Sequence, residues 1–166
     1  GIGSAISTIV GQNIGAGQQE RADKAYHYAL RMGALFLLFF GLILSRRFIS
    51  QAMVTFFSTD ERVIPLATDF LSLMAFWCWS NAFYNVTQGL FQGSGHTMIT
   101  MIVDASRIWI FRLLTLWVCA NMLNMGVESV WYAVVISNGT SAAILFALYW
   151  TGIWKKSTIK IEKTES

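Results

Sequence analysis

Four long runs of mainly apolar residues, at about 26–45, 64–92, 98–122 and 127–154, divide this 166-residue chain. A helix needs roughly 20 such residues to cross the hydrocarbon core of a bilayer, so each run predicts a transmembrane helix. Residues 2–16 are also apolar but fewer, which predicts a truncated span. Only 13% of the residues are charged, against about 25% in a soluble domain. The predicted fold is all-α, a polytopic transmembrane helix bundle over residues 1–154.

The remaining segments predict how the bundle meets the membrane. Residues 46–58 place their apolar side chains on one helical face, which is typical of a helix that lies in the membrane interface. Residues 155–166 form a basic tail, and Trp154 beside it predicts an interfacial anchor. Because lysines and arginines favour the cytoplasmic side, we expect a cytoplasmic C-terminus in the plasma or inner membrane. The basic residues of the tail are Lys155, Lys156, Lys160 and Lys163.

Two similar glycine-rich stretches, "GQNIGAG" at 11–17 and "GLFQGSG" at 89–95, each end an apolar run. Each contains two glycines four positions apart, a spacing that lets helix backbones approach closely in a membrane. A third glycine two positions later permits the left-handed turn that ends a helix. We predict close packing and then a sharp stop at both places, on the same side of the membrane. The residues of this structural motif are Gly11, Gln12, Gly15, Gly17, Gly89, Gly93 and Gly95.

Four charged residues within the predicted spans are candidates for a special role, since a charge in a membrane costs about 2.5–3.5 kcal/mol on insertion scales. Asp69 is either a solvated residue at a helix start or a cation contact near the outer surface. Asp104 and Arg107 are three positions apart and can pair. Arg112 lies about 140° round the helix from Arg107 at 100° per residue, so it needs a partner on another helix. A structural role is the expectation for Asp104, Arg107 and Arg112, and a role in ion coupling is the alternative for Arg112.

Polar side chains form a stripe along the second long run. Asn81, Asn85, Gln88 and Gln92 recur at helical spacing, so they share one face that should meet protein or water rather than lipid. The stripe predicts either hydrogen bonds between helices or the wall of a cavity. Aromatic rings attract organic cations, and aromatic residues lie nearby. The candidate cavity residues are Asn81, Asn85, Gln88, Trp77, Tyr84 and Asn138.

Other chemistry has little support in the sequence. Cys78 and Cys119 lie in different predicted spans, and His27 and His96 lack the spacing of metal ligands. The chain shows no nucleophile–base pattern, no phosphate-binding loop and no basic face for nucleic acid. We therefore predict no enzyme activity, no metal, no cofactor and no nucleic-acid partner.

The motifs resemble one known family. "STIVGQNIGAGQQERADKA" is similar to the end of the eighth helix in MATE transporters, the multidrug and toxic compound extrusion family. Its pattern V-G-Q-x-x-G-A-G-x-x-x-R-A is matched by Val10, Gly11, Gln12, Gly15, Ala16, Gly17, Arg21 and Ala22. "QGLFQGSGHT", "SRIWIFRLLTLW" and "ISNGTSAAILFALYWTGIWKK" resemble parts of helices ten, eleven and twelve. The resemblance implies a C-terminal lobe of helices eight to twelve, without helix seven and the N-terminal lobe.

The resemblance also implies a function. A two-lobe transporter of this family is a secondary antiporter that exports cationic, amphipathic compounds in exchange for H⁺ or Na⁺. Its partners would be small organic cations, the bilayer and the N-terminal lobe of the same polypeptide. One branch of the family has a carboxylate midway along helix ten, where this chain has Asn81 and Ala82. The coupling carboxylate is therefore expected in the N-terminal lobe. Leu114 stands where relatives often have a proline, so the same kink is not expected.

Two other functions stay open. A flippase of the same superfamily would move a lipid-linked substrate, and its cavity would be strongly cationic. The few deep basic residues here favour the antiporter instead. A bundle that only assembles with partners, without transport, is the third possibility.

Overall fold

The computed structural model describes residues 1–156, and every regular element in that range is helical. The elements in chain order are α1 Ile2–Gly15, α2 Gln19–Leu44, α3 Arg47–Phe57, α4 Val63–Trp77, α5 Ser80–Gly93, α6 Thr97–Ser106, a π-helical segment Arg107–Arg112, α7 Leu113–Asn121, α8 Glu128–Trp150 and a 3₁₀ turn Ile153–Lys155. This confirms the all-α prediction. Lys160 and Lys163 of the predicted tail lie outside the described residues.

The long helices are apolar on the outside, as a bilayer requires. By length and composition α2 and α8 can each cross a membrane, and α4 with α5 can form a third, bent span. Large apolar side chains such as Met32, Leu35 and Phe39 on α2 are exposed. The predicted span 98–122 is a run of helix that the π-helical segment interrupts.

The predicted single helix over 64–92 is wrong, because the chain breaks at Cys78 and Trp79. The axes of α4 and α5 differ by 52°. At the break the Cys78 amide donates to the Ala75 carbonyl over 3.3 Å, a bond three residues back instead of four. Gly41 of α2 packs into the bend, where an added Cβ would lie 2.5 Å from the Ala75 oxygen. A tight contact between helices thus accompanies the bend.

The centre of the bundle is a backbone contact between α1 and α5. An added Cβ at Gly89 would overlap the Gly3 carbonyl, and one at Gly93 would overlap the Ser7 carbonyl. Both contacts advance four residues on each helix, so α1 and α5 run parallel. Their C-terminal ends therefore lie at the same end of the bundle, as the sequence indicated.

The glycine motif needs one correction. Gly17 and Gly95 both have positive φ, 72° and 85°, the left-handed turns expected of them. Gly11 also packs closely, since its Cβ would lie 3.3 Å from the Gly93 oxygen, but a Cβ at Gly15 would meet nothing within 4 Å. The α1 side of the contact is therefore Gly3, Ser7 and Gly11, and the predicted pairing of Gly11 with Gly15 is wrong. Gln12 is exposed.

The C-terminal turn folds back on the bundle. Trp154 is fully buried and stacks on Tyr149 with ring centroids 6.0 Å apart. Gly152, at φ 70°, ends α8 and makes this turn possible. The predicted role of Trp154 as an interfacial anchor is therefore wrong, because its ring lies in the core.

The α1–α5 contact predicts that alanine substitutions at two glycines have very different effects on stability. Gly89→Ala should destabilise the full-length protein by about 1–3 kcal/mol, the usual cost of overpacking, because the new methyl meets the α1 backbone. Gly15→Ala is the matched control and should leave stability unchanged or slightly raised. Melting temperatures in detergent, followed by size-exclusion fluorescence, compare them. Equal melting of the two variants would contradict this packing.

Candidate functional site

The polar stripe of α5 lines a cavity of about 420 Å³. The stripe residues in its wall are Asn81, Asn85, Gln88 and Gln92. Gly3 and Ser4 of α1 and Leu37 of α2 form other parts of the wall. Among the described residues, no side chain that lines this cavity is ionisable. The stripe therefore forms one continuous, polar and uncharged surface, and we call this space the α5 cavity.

The α5 cavity begins where the bent span breaks. Asn81 is the second residue of α5, just after the break at Cys78 and Trp79. Irregular backbone at membrane depth occurs where it is buried in protein or lines a cavity. The position of the break beside a polar cavity fits that rule.

Gln88 connects the α5 cavity to a group of charges. Its Nε2 donates to Asp104 Oδ2 over 2.7 Å. Asp104 Oδ1 lies 3.5 Å from Arg107 Nη2, so the pair predicted from the spacing is present. The Arg107 guanidinium also lies over the Tyr84 ring, 4.6 Å from its centroid. These side chains form a half-buried cluster between α5, α6 and the π-helical segment.

The π-helical segment brings Arg107 and Arg112 to the same partner. Arg107 Nη1 and Arg112 Nη2 each lie 3.5 Å from Asn138 Oδ1 on α8. Arg112 Nε is also 3.4 Å from Ser137 Oγ. Arg112 thus has its partners on another helix, but the predicted separation of 140° is wrong. In a π-helix the backbone bonds join residues five apart, so two such residues lie near one face.

This cluster is incompletely satisfied. Tyr84 Oη, Asp104 Oδ1, Arg107 Nε and Ser141 Oγ are buried and have no hydrogen-bond partner within residues 1–156. Arg112 makes no contact with a carboxylate in that part of the chain. Buried polar groups usually find partners, so the cluster has free capacity for further hydrogen bonds.

The predicted cavity residues divide into two groups. Asn81, Asn85 and Gln88 line the α5 cavity, whereas Tyr84 and Asn138 belong to the charge cluster. The side chain of Trp77 lies in neither group and stacks on Trp79 near the break, with centroids 6.3 Å apart. Within residues 1–156 the six candidates therefore do not surround one cavity, because α5 presents its two faces to different neighbours.

Asp69 lies away from both groups. Its Oδ1 is 3.3 Å from Arg47 Nη2, which ties α4 to α3. The two side chains are 49% and 71% exposed, and an exposed pair of this kind contributes about 0–1 kcal/mol. Asp69 also lines a second cavity of about 420 Å³ with Glu128 of α8. The Asp69 carboxylate is thus paired with an arginine of the protein itself.

A second cluster of polar side chains lies at the opposite face of α5 and was not predicted from the sequence. Tyr149 Oη donates to Asp23 Oδ1 over 2.7 Å and lies 3.0 Å from His27 Nε2. Tyr26, buried beside them, bonds Thr87 of α5 over 3.0 Å. The spacing of Asp23 and His27, one turn apart, was the available signal. Within residues 1–156 no three acidic, histidine or cysteine side chains lie close enough to hold a metal.

The shared partner of the two arginines predicts how Asn138 variants behave. Asn138→Leu should lower stability by about 1–3 kcal/mol, because it leaves half-buried arginine donors without an acceptor. Asn138→Asp has a similar size and supplies a charge to Arg112, so it should melt at or above the unmutated protein. Melting temperatures of the full-length variants measure both. An aspartate variant that melts as low as the leucine variant would contradict the shared contact.

Comparison with known proteins agrees with this architecture. Residues 1–118 match the family model MatE. The chain is 21% identical to "Probable multidrug resistance protein NorM" of Thermotoga maritima, over 96% of this chain and 34% of that protein. The protein of the same name from Oceanobacillus iheyensis is 26% identical, over 88% and 32%. "Protein DETOXIFICATION 9" of Arabidopsis thaliana is 25% identical, over 96% and 33%.

The matches cover most of this chain but only part of each relative. The chain spans about a third of the length of the curated relatives it matches. No solved structure matches it. The MatE model nevertheless covers well over half of the chain. The chain therefore belongs to the MatE family, a family of membrane transporters and not of enzymes.

Proposed function

We propose that this chain forms the C-terminal lobe, helices eight to twelve, of a secondary efflux transporter. The transporter exports cationic, amphipathic compounds in exchange for H⁺ or Na⁺. The observation that carries the proposal is the α5 cavity, whose wall is a continuous stripe of amide side chains beside a broken helix. Secondary transporters bind their substrates near the membrane midplane, at helices interrupted in this way. The relatives' names, which refer to drug resistance and detoxification, support the same direction.

The chemistry of the α5 cavity suits a cation that also has apolar surface. Amide oxygens attract positive charge without adding a fixed negative charge that would have to be neutralised when the cavity is empty. Leu37 and Val86 supply apolar wall beside the amides. A site with both kinds of wall can bind an amphipathic cation and release it again.

The coupling ion requires a group that this cavity does not contain. No carboxylate lines it in the part of the chain that the structure describes, and Asp104 is held by Gln88 and Arg107. We therefore place the carboxylate that binds H⁺ or Na⁺ in the N-terminal lobe of the same polypeptide. That lobe would also supply the opposite wall of the cavity.

The charges at one end of the bundle support an orientation in the membrane. Gln19, at the start of α2, donates to the Lys155 carbonyl over 3.0 Å, so the α1–α2 corner and the C-terminal turn share one end. That end carries Arg21, Lys24 and the first tail lysines. We place it in the cytoplasm, with the protein in the plasma or inner membrane. A C-terminal reporter active only outside the cytoplasm would contradict this placement.

The alternative flippase has less support from the same geometry. A cavity for a lipid-linked anion would need cationic side chains in its wall, and the described wall of the α5 cavity has none. Arg107 and Arg112 lie in the separate cluster with Asn138. A purely structural assembly would not need a polar cavity beside a helix break.

Efflux by the full-length protein tests the proposal. Changing Asn81, Asn85 and Gln88 together to Ala should reduce ethidium efflux from drug-sensitive cells by tenfold or more, because the cation loses the three amide dipoles that line its site. A tenfold loss corresponds to about 1.4 kcal/mol. The matched control is Asn121→Ala, which changes an exposed amide far along α7 and should leave efflux unchanged.

The other outcomes separate the alternatives. Unchanged efflux by the triple variant, at equal membrane abundance, would assign the stripe to helix packing and contradict the proposal. Absence of efflux from the unmutated protein would count against ethidium as a substrate and favour the flippase.

A further inference from the structure

Two of the four amide side chains in the wall of the α5 cavity, those of Asn85 and Gln88, are bound to the protein on their donor side. Asn85 Nδ2 donates to the Asn81 carbonyl over 2.7 Å, and Gln88 Nε2 donates to Asp104 Oδ2 over 2.7 Å. A backbone carbonyl and an ionised carboxylate can only accept hydrogen bonds. The NH₂ end of each amide must therefore face its partner, and the opposite orientation is excluded.

The oxygen atoms of these two amides are left to face the cavity. Asn85 Oδ1 and Gln88 Oε1 accept no hydrogen bond from the described residues, and both side chains line the cavity. At Asn85 and Gln88 the cavity is thus offered an acceptor oxygen, while the NH₂ group of each amide already has one acceptor in the protein. Such a wall favours a ligand that brings its own donors.

The orientation of Gln88 depends on a residue outside the cavity. Asp104 lies on α6 and does not line the α5 cavity. One of its oxygens holds Gln88, and the other lies 3.5 Å from Arg107. The Arg107 guanidinium is in turn held over the Tyr84 ring and near Asn138. One oxygen of the carboxylate is therefore hydrogen-bonded to Gln88, and the ion pair of the other oxygen with Arg107 holds the Asp104 side chain near that position.

We propose that Asp104 is a positioning residue that orients Gln88, so that the α5 cavity presents amide oxygens to the N–H groups of protonated amines. The inference rests on the proposed function, because it takes this cavity as a site for cations. It adds a substrate class, amines that carry an N–H donor in their charged form. Hydrogen bonds from a charged donor are roughly twice as strong as neutral ones. A quaternary ammonium ion of the same shape has no N–H to donate. It is attracted only by the dipoles of the amide groups and should bind more weakly.

The test compares two ligands on the purified full-length protein. They are a protonated tertiary amine and its N-methyl quaternary analogue, with dissociation constants measured by calorimetry. The unmutated protein should prefer the tertiary amine. In Asp104→Asn the partner of Gln88 can donate or accept, so Gln88 is free to turn. That variant should bind the amine about tenfold more weakly, as expected for one charge-assisted hydrogen bond, with little change for the quaternary analogue.

Two further variants separate positioning from a general effect on the fold. Asp104→Glu keeps an acceptor-only group and should retain the preference for the amine. Gln88→Met removes the amide, so it should abolish most of the preference even if Asp104→Asn does not fold. In the Gln88→Met background, Asp104→Asn should cause no further loss of preference, which a double-mutant cycle measures.

Several results would overturn the inference. Asp104→Asn could weaken both ligands equally, or neither, and either result would show that Asp104 does not set the orientation of Gln88. Retention of the preference in Gln88→Met would show that Gln88 does not contact the amine. If the unmutated protein binds neither ligand, both the inference and the proposed function are overturned. If it binds them and the variants have no effect on binding, only the inference is overturned.

Discussion

The contact between α1 and α5 is the constraint on which the rest of the structure depends. Apolar side chains gain little by leaving lipid for the interior of a membrane bundle, so association needs close van der Waals contact. Gly89 and Gly93 provide it by letting α5 lie against the α1 backbone at Gly3 and Ser7. This fixes α5 at the centre of the bundle. One of its faces then lines the cavity with amides, and another meets the charge cluster and α8.

Two departures from regular helix lie beside the polar groups of α5. The bend between α4 and α5 comes directly before Asn81, and the π-helical segment brings Arg107 and Arg112 to Asn138. Each departure interrupts the regular backbone hydrogen bonds of a helix within an apolar segment. Each also places polar side chains where a regular helix would not. Through Asp104 and Gln88 the cluster formed by the second departure reaches the cavity formed beside the first.

The sequence was a good guide where local patterns decide the structure. Apolar runs predicted the helices, and the left-handed turns at Gly17 and Gly95 followed from the glycine spacing. The polar stripe was also visible, because helical periodicity alone puts Asn81, Asn85 and Gln88 on one face. The pairing of Asp104 with Arg107 needed only their separation along the chain.

The sequence was a poor guide where contacts between distant segments decide the structure. No proline or glycine marks the bend at Cys78, which is accompanied by the packing of Gly41 from another helix. The π-helical segment has no recognisable signal, so the angle between Arg107 and Arg112 was mispredicted. Trp154 resembled a surface anchor because the stacking on Tyr149 depends on how the chain turns back at Gly152.

Accessibility of Asn85 to a thiol reagent tests most directly whether the α5 cavity is the substrate path. Asn85→Cys is introduced into the full-length protein after Cys78 and Cys119 have been changed to Ala, and labelling by a maleimide is followed with and without a transported amine. The account predicts that the thiol is labelled and that the amine slows its labelling, while Asn121→Cys is labelled at the same rate in both conditions. Labelling of Asn85→Cys that the amine does not slow, in a protein that still transports it, would contradict the account.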